Sequence, residues 1–143
     1  MPTNKSKTAK IISVTNQKGG VGKTTTTINL AAALSELEKK VLIIDLDPQG
    51  NASTGLGVEV ADRELSTYEF LVEGVPLEKV AMETEISGLS IVPATIDLSS
   101  ADIDLISNEK RSHLLHEALR KKQAHKQKYD YILIDCPPSL NIL

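Results

Sequence analysis

The sequence predicts an α/β fold in which helices flank a parallel sheet. Four apolar runs, at residues 11–15, 41–45, 89–93 and 131–135, have the length and composition of strands. The runs at 41–45 and 131–135 are continuously apolar until they end in aspartate, which is typical of parallel strands buried on both faces. Helical patterns lie between the runs, and this alternation indicates βαβ units.

The first helix is predicted over residues 24–38, because apolar side chains recur there at helical spacing. Lys39 and Lys40 place cations at its end, where the helix dipole favours positive charge. Further helices are predicted over residues 97–106 and 110–126. The apolar residues behind these three predictions are Ile28, Ala31, Ala32, Leu34, Leu98, Ala101, Ile103, Leu105, Ile106, Leu114, Leu115, Ala118 and Leu119.

Two short helices are predicted between residues 62 and 85. The stretch from Ser66 to Glu69 has the pattern of a capping box, which marks a helix N-terminus. Pro76 is well suited to begin the second helix, because its fixed φ matches the first helical turn. The Gly-Leu-Gly sequence at 55–57 is interpreted as a turn.

A glycine-rich loop between the first strand and the first helix has the pattern of a phosphate-binding loop, or P-loop. Residues 16–25 are Asn-Gln-Lys-Gly-Gly-Val-Gly-Lys-Thr-Thr. Glycines let successive backbone N–H groups converge on an anion, and the helix N-terminus adds positive charge. The Lys23 ammonium would neutralise the β- and γ-phosphates, and the Thr24 hydroxyl would bind Mg²⁺. The alternative interpretation is a glycine-rich turn with two solvated lysines.

Acidic residues follow two of the predicted strands. Asp45 and Asp47 end the second strand at positions i and i+2, where both would overhang a ligand crevice at the sheet's carboxyl edge. Asp135 follows four apolar residues, which is the Walker B pattern, and it would hold magnesium through a water molecule, since this ion keeps several waters. The alternatives are a polar turn after the second strand and an aspartate that caps a loop after the fourth.

Bulk composition fits one soluble globular domain. The chain has 143 residues, of which 41% are hydrophobic and 24% charged, and its net charge is −3. That charge is a poor match for a protein that coats DNA through overall charge. One cysteine, Cys136, excludes an intrachain disulfide. Residues 1–9 are predicted to form a flexible polar tail, and residues 10–143 are predicted to form the domain. No run approaches the roughly 20 apolar residues of a membrane span.

The basic stretch at residues 110–128 is interpreted as a solvated helix face rather than a nucleic-acid contact, because no aromatic residues are interleaved with its cations. The same stretch contains His113, His116 and His125. These histidines have no acidic or cysteine partner at a suitable spacing, so a zinc site is not favoured over solvated histidines.

The motifs together resemble the ParA/Soj chromosome- and plasmid-partitioning ATPases. Gln17 replaces the first glycine of the common P-loop, and Lys18 precedes the glycine pair, which gives the deviant Walker A form Lys-Gly-Gly-x-Gly-Lys-Thr-Thr. The Asp-x-Asp-Pro-Gln-Gly-Asn motif at 45–51 and the Asp-Cys-Pro-Pro motif at 135–138 are similar to the family's own. The resemblance extends from about residue 10 to residue 143.

The resemblance implies an ATPase that uses ATP and Mg²⁺. Lys18, Lys23 and Asp47 would be catalytic, with Lys18 crossing a dimer interface to the partner's nucleotide and Asp47 positioning the attacking water. Asp45, beside Thr24 and Asp135, would belong to the magnesium site. The nucleotide contacts implied are Lys18, Gly19, Gly20, Val21, Gly22, Lys23, Thr24 and Thr25.

The resemblance also implies an ATP-dependent homodimer, a centromere-binding partner of the ParB kind, no membrane association and a cytoplasmic location. In the full-length protein it implies binding to nonspecific DNA and association with the nucleoid. Family members continue past the fourth strand, so the chain is expected to be incomplete relative to the family. With the four predicted strands in the order 3-2-4-1, the P-loop strand would lie at an uncovered edge, which favours low stability or self-association.

Three other functions remain open at this point. A MinD-like division-site ATPase shares the loop, although the Asp-Pro-Gln-Gly-Asn motif favours ParA/Soj. An iron–sulfur carrier ATPase is disfavoured by the single cysteine. The 143-residue chain is also compatible with a binding module that has no ATPase activity of its own.

Overall fold

The computed structural model describes residues 9–14, 22–99, 115, 117–119 and 128–136, with only the backbone described at 22 and 23. These residues form one five-stranded sheet whose strands are ordered β1-β5-β2-β4-β3. The strands are β1 Lys10–Val14, β2 Val41–Asp45, β3 Met82–Glu83, β4 Leu89–Val92 and β5 Tyr131–Asp135. The pairs β1–β5, β5–β2 and β2–β4 are parallel.

The order of the four predicted strands is confirmed. The short strand β3 is an addition that the sequence pattern did not predict, and it pairs antiparallel to β4 at the opposite edge from β1. Two residues are too few to display the alternation by which strands are recognised.

The central strands are buried on both faces, as their continuous apolar runs predicted. All five residues of β2 are buried. Leu42 and Ile44 pack into one hydrophobic cluster, and Val41 and Ile43 pack into another on the opposite face. Because successive side chains of a strand point to opposite faces, this division shows that the sheet lies between two apolar layers.

The first helix, α1, runs from Gly22 to Glu36, so it begins and ends two residues earlier than predicted. Glu38 has a φ of 62°, and its backbone N–H donates to Ser35 O at 2.9 Å while Lys39 N–H donates to Leu34 O at 3.1 Å. These two bonds form a Schellman motif, which ends the helix with a residue in left-handed conformation. The prediction that Lys39 and Lys40 lie at the helix end is therefore wrong, because the chain has already turned away.

Three short helices follow β2, namely α2 Asn51–Gly55, α3 Thr67–Val72 and α4 Leu77–Val80, with a 3₁₀ turn at Val60–Asp62. The two short helices predicted between residues 62 and 85 are confirmed as α3 and α4, whereas α2 was not predicted. Ser66 and Glu69 form the predicted capping box, and Pro76 is the N-cap of α4 rather than its first residue. Of the turn predicted at 55–57, Gly55 is the last residue of α2, and residues 56 and 57 form a turn.

The helix predicted over 97–106 is described only as a 3₁₀ turn at Ile96–Ser99, and the rest lies outside the described residues. Of the helix predicted over 110–126, the described residues Leu115, Glu117, Ala118 and Leu119 are helical, and both leucines are buried. Ala9, the last residue of the predicted tail, is also buried, whereas residues 1–8 lie outside the described part.

Strand β1 lies at an edge of the sheet among the described strands. Its side chains are largely exposed, with Ile11 at 42% and Ile12 at 36%. Across the described residues, no helix is both long and apolar enough to cross a membrane.

Candidate functional site

Three strands deliver the candidate site to one edge of the sheet. Val14, Asp135 and Asp45 end β1, β5 and β2, and Asp135 is in register with both of the other two. The carboxyl ends of parallel strands meet at the same edge, where α/β folds bind their ligands. The topology therefore places Asp135 between the strand that leads into the glycine-rich loop and the strand that leads into Asp47.

Asp135 is linked to the first turns of α1. Thr24 Oγ1 donates to Asp135 Oδ2 and Thr27 Oγ1 donates to Asp135 Oδ1, each at 3.3 Å. Asp135 and Thr27 are fully buried, whereas Thr24 is partly accessible. Because Thr24 and Thr27 are three residues apart on a helix, both hydroxyls face the same strand end.

Hydrogen bonds from Asp47 and Ser53 hold the Asp45 carboxylate. It is fully buried, its Oδ1 accepts from Asp47 N–H at 3.1 Å, and its Oδ2 accepts from Ser53 N–H at 3.0 Å and Ser53 Oγ at 2.7 Å. Burial raises the pKa of Asp45 to about 6 against the hydrogen bonds, which lower it, and the neighbouring Asp135 charge adds to the rise. Asp45 thus ties the end of β2 to helix α2.

Asp47 begins the turn that follows β2. Its Oδ1 accepts from Gln49 N–H at 3.0 Å and its Oδ2 accepts from Asn51 Nδ2 at 3.2 Å. Gly50, with φ of 65°, carries the chain from this turn into α2. A carboxylate has about four acceptor positions, so these two bonds fix Asp47 and leave capacity for a further donor such as water.

The donor set at Thr24 and Asp135 suits magnesium. Both groups offer hard oxygen atoms, which Mg²⁺ prefers, and magnesium is usually held by one or two protein groups together with phosphate and water. No cluster of three or more His, Cys, Asp or Glu that could enclose a metal occurs among the residues described. Thr24 and Asp135 therefore fit an ion that shares its coordination with a phosphate ligand.

The predicted loop contacts are only partly within the described structure. Lys18, Gly19, Gly20 and Val21 lie outside it. Gly22 and Lys23 form the start of α1, where the backbone N–H groups of a helix have no partner within the helix. Thr25 follows Thr24 on the same turn and is exposed.

Sequence reasoning missed three residues around the site: Thr27, Ser53 and Arg63. The threonine run at 24–27 offered a signal for Thr27, because the i+3 spacing puts it on the face of Thr24. The other two act through contacts distant in sequence. Ser53 Oγ accepts from Ala94 N–H at 3.0 Å, and Arg63 Nη1 donates to Ala94 O at 3.1 Å.

Known proteins resemble this chain over nearly its whole length. Sporulation initiation inhibitor protein Soj of Bacillus subtilis is 51% identical over 134 residues, which cover 94% of this chain and 52% of that protein. Chromosome partitioning protein ParA of Myxococcus xanthus is 48% identical over 134 residues, 94% of this chain and 46% of that protein. The chain thus spans about half the length of these curated relatives.

Solved structures share the fold. A cobyrinic acid a,c-diamide synthase from Mycobacterium smegmatis, solved with bound ADP and magnesium, superposes with a TM-score of 0.82 at 38% identity, over 94% of this chain and 53% of that one. The cell division ATPase MinD from Pyrococcus furiosus superposes with a TM-score of 0.71 at 31% identity, over 94% of this chain and 52% of that one. The fold is that of the P-loop ATPases of the ParA/MinD type.

A family model described as an AAA domain matches residues 9–143. The match covers every strand and helix described above, and the resemblance to ParA and Soj is confirmed by identities near one half. The chain therefore belongs to this AAA-domain family.

Proposed function

We propose that this chain binds ATP with Mg²⁺ at the edge formed by β1, β5 and β2, and that it hydrolyses ATP as part of a partitioning protein of the ParA/Soj kind. The observation that carries the proposal is the hydrogen bond from Thr24, in the first turn of α1, to Asp135 at the end of β5. It joins the end of the glycine-rich loop to the Walker B aspartate. ADP and ATP complexes of structural relatives support the choice of nucleotide.

Each residue has a distinct role in this proposal. The N–H groups of residues 19–22 and the α1 N-terminus would bind the phosphates, and Lys23 would neutralise their charge. Thr24 and Asp135 would hold Mg²⁺, which when bound offsets charge on the phosphate oxygens. Asp45, whose oxygens already accept three hydrogen bonds, would support this site by fixing the end of β2.

Asp47 is proposed to position the attacking water. Its carboxylate is oriented by Gln49 and Asn51. Asp47 lies two residues after Asp45, which is in register with Asp135. Phosphoryl transfer requires mainly positioning and charge neutralisation, so one oriented carboxylate is sufficient. Lys18 is proposed to reach the nucleotide of a second subunit, which would make turnover depend on dimerisation.

For the complete protein we propose an ATP-dependent homodimer in the cytoplasm that binds nonspecific DNA at the nucleoid and is stimulated by a ParB-like partner. The name of one relative supports a segregation role, because the chromosome partitioning protein ParA of Myxococcus xanthus is 48% identical to this chain. A MinD-like role has weaker support, at 31% identity. A liposome-pelleting assay separates the two, since membrane binding with ATP would favour MinD.

The first test is a titration with fluorescent ATP and Mg²⁺, in which the native chain is compared with Lys23→Ala and Lys79→Ala. Lys79 is an exposed residue of α4 and serves as the matched loss of one cation. We expect saturable binding by the native chain and Lys79→Ala, and no binding by Lys23→Ala. Binding that survives in Lys23→Ala, or is missing from the native chain, contradicts the proposed site.

A further inference from the structure

Within the part of the chain that the structure describes, Arg63 is a buried cation whose hydrogen-bond acceptors are all neutral. Its side chain is 7% exposed. Nε donates to Val58 O at 3.2 Å, Nη2 to the same carbonyl at 2.6 Å and to Thr54 Oγ1 at 3.0 Å, and Nη1 donates to Ala94 O at 3.1 Å. Burying a charge without a carboxylate partner is unfavourable, although the hydrogen bonds offset part of the lost hydration. Packing alone would be served better by an apolar side chain.

The four bonds connect the segment that follows β2 with the segment that follows β4. Thr54 belongs to α2, and Val58 follows that helix. Ala94 follows β4, the neighbour of β2 in the sheet. The Arg63 guanidinium therefore holds α2 against the loop after β4, at the carboxyl edge of the sheet.

The same guanidinium lies directly against Gly50. A Cβ added at Gly50 would collide with Arg63 Nη1 and come within 3.2 Å of Ala94 O. Gly50 N–H donates to Asp47 O at 2.8 Å, and Thr54 N–H donates to Gly50 O at 2.9 Å. Arg63 thus contacts both ends of the segment 50–54, whose preceding turn carries Asp47.

Asp45 holds this segment from the other side. Ser53 Oγ donates to Asp45 and accepts from Ala94 N–H, while Ala94 O accepts from Arg63. The segment is consequently fixed between the buried Asp45 carboxylate and the buried Arg63 guanidinium. These hydrogen bonds do not join the two charged groups directly to each other. Such bracketing restricts the position of Asp47 more tightly than either group would alone.

We propose that Arg63 is a positioning residue, which fixes the segment 47–54 so that the Asp47 carboxylate is oriented for hydrolysis, and which controls turnover rather than nucleotide affinity. The effect on turnover rests on the proposed function. The effect on the segment does not, because it follows from contacts between residues of the chain itself.

The test compares the native chain with Arg63→Met, Arg63→Lys and the matched control Lys79→Met. Amide hydrogen exchange is measured by NMR at Gln49 and Thr54, with Ile43 in the centre of β2 as the internal reference. We expect exchange at Gln49 and Thr54 to rise about tenfold in Arg63→Met, with no change at Ile43. Arg63→Lys, which can keep one or two of the bonds, should lie between the native chain and Arg63→Met.

Nucleotide measurements on the same proteins test the second half of the proposal. The Kd for fluorescent ATP should stay within about threefold in Arg63→Met, while single-turnover hydrolysis slows about tenfold or more. Lys79→Met should match the native chain in every measurement.

Three results overturn the proposal: exchange at Gln49 and Thr54 that does not change, exchange that rises equally at Ile43, or a loosened segment with full turnover. If Arg63→Met does not fold, Arg63→Lys is judged by the same criteria. A native chain that neither binds nor hydrolyses ATP refutes the proposed function instead, and hydrogen exchange then decides whether Arg63 positions the segment.

Discussion

Thr24 and Asp135 are 111 positions apart in the sequence, and the Thr24 hydroxyl donates to the Asp135 carboxylate at 3.3 Å. The bond joins the N-terminal turn of α1 to the end of β5. It exists because β5 inserts between β1 and β2, which brings the Walker B aspartate beside the helix that follows β1. Both groups are oxygen ligands suited to the same magnesium ion, so each should be required for magnesium-dependent binding.

Thr24→Val is expected to raise the Mg²⁺ concentration needed for half-maximal ATP binding by about tenfold, because it removes one of the two protein oxygen ligands proposed for the ion. Thr24→Ser keeps the hydroxyl and should retain native behaviour. Thr26→Val alters an exposed threonine of the same helix and is the control. The measurement is a Mg²⁺ titration at fixed fluorescent ATP. An equal shift in Thr24→Val and Thr26→Val would show that helix stability, and not the hydroxyl, is responsible.

Lys18→Ala is expected to weaken ATP-dependent dimerisation and turnover more than ADP binding, because the proposed contact of Lys18 is with the partner's nucleotide. Lys23→Ala should lose ADP and ATP binding alike. Sedimentation of the full-length protein with ATP and with ADP, combined with a turnover assay, distinguishes the two lysines. A Lys18→Ala protein that loses ADP binding as severely as dimerisation would argue that Lys18 acts within its own subunit.

Local patterns predicted the parts of the fold that local interactions determine. The capping box at Ser66 and Glu69 and the continuously apolar strand β2 were recognisable because their defining residues are adjacent. The contacts around Ala94 were not, since its N–H bonds to Ser53 across 41 positions and no periodicity encodes such a pair. Likewise, the polar signal of Asp45 and Asp47 predicted a site but not their separate roles, which depend on what surrounds each carboxylate.

The position of β1 at an edge among the described strands predicts self-association of the 143-residue chain. Ile11 and Ile12 are 42% and 36% exposed, and an uncovered apolar strand edge invites pairing with another chain. Ile12→Lys should shift the chain toward monomer, because a charge at an edge opposes strand pairing. Sedimentation velocity over a range of concentrations is the measurement. A monomeric native chain with a sharp, concentration-independent melt would contradict the prediction.

Glu38→Gly should stabilise the chain by about 1 kcal/mol, because a non-glycine residue in left-handed conformation costs about that much. Glu38 has this conformation at the end of α1, with φ of 62°. Glu36→Gly removes the same charge from the last residue of the helix and should destabilise by about 1 kcal/mol. Urea unfolding of the two variants compares them directly. Changes of the same sign in both would mean that loss of charge outweighs backbone conformation.

The buried carboxyl of Asp45 predicts a dependence of stability on pH when nucleotide and metal are absent. Burial raises the pKa of Asp45 from 3.8 to about 6. Between these values the folded state binds more protons than the unfolded state, so the contribution is fully present below pH 3.8 and is lost as pH rises through 6. The free energy of unfolding should fall by about 3 kcal/mol across this window on account of Asp45.

The side chain in Asp45→Asn stays neutral at every pH, so the fall of about 3 kcal/mol in the free energy of unfolding should be missing from its pH profile. This expectation holds even if the loss of hydrogen bonds that Asp45 accepts lowers the stability of the variant at every pH. Ser53→Ala should make the fall steeper, because the Ser53 hydroxyl bond favours the charged form of Asp45. Urea unfolding from pH 4 to pH 7 in EDTA provides the three profiles. If Asp45→Asn and the native chain fall in parallel, another group titrates and the raised pKa of Asp45 is wrong.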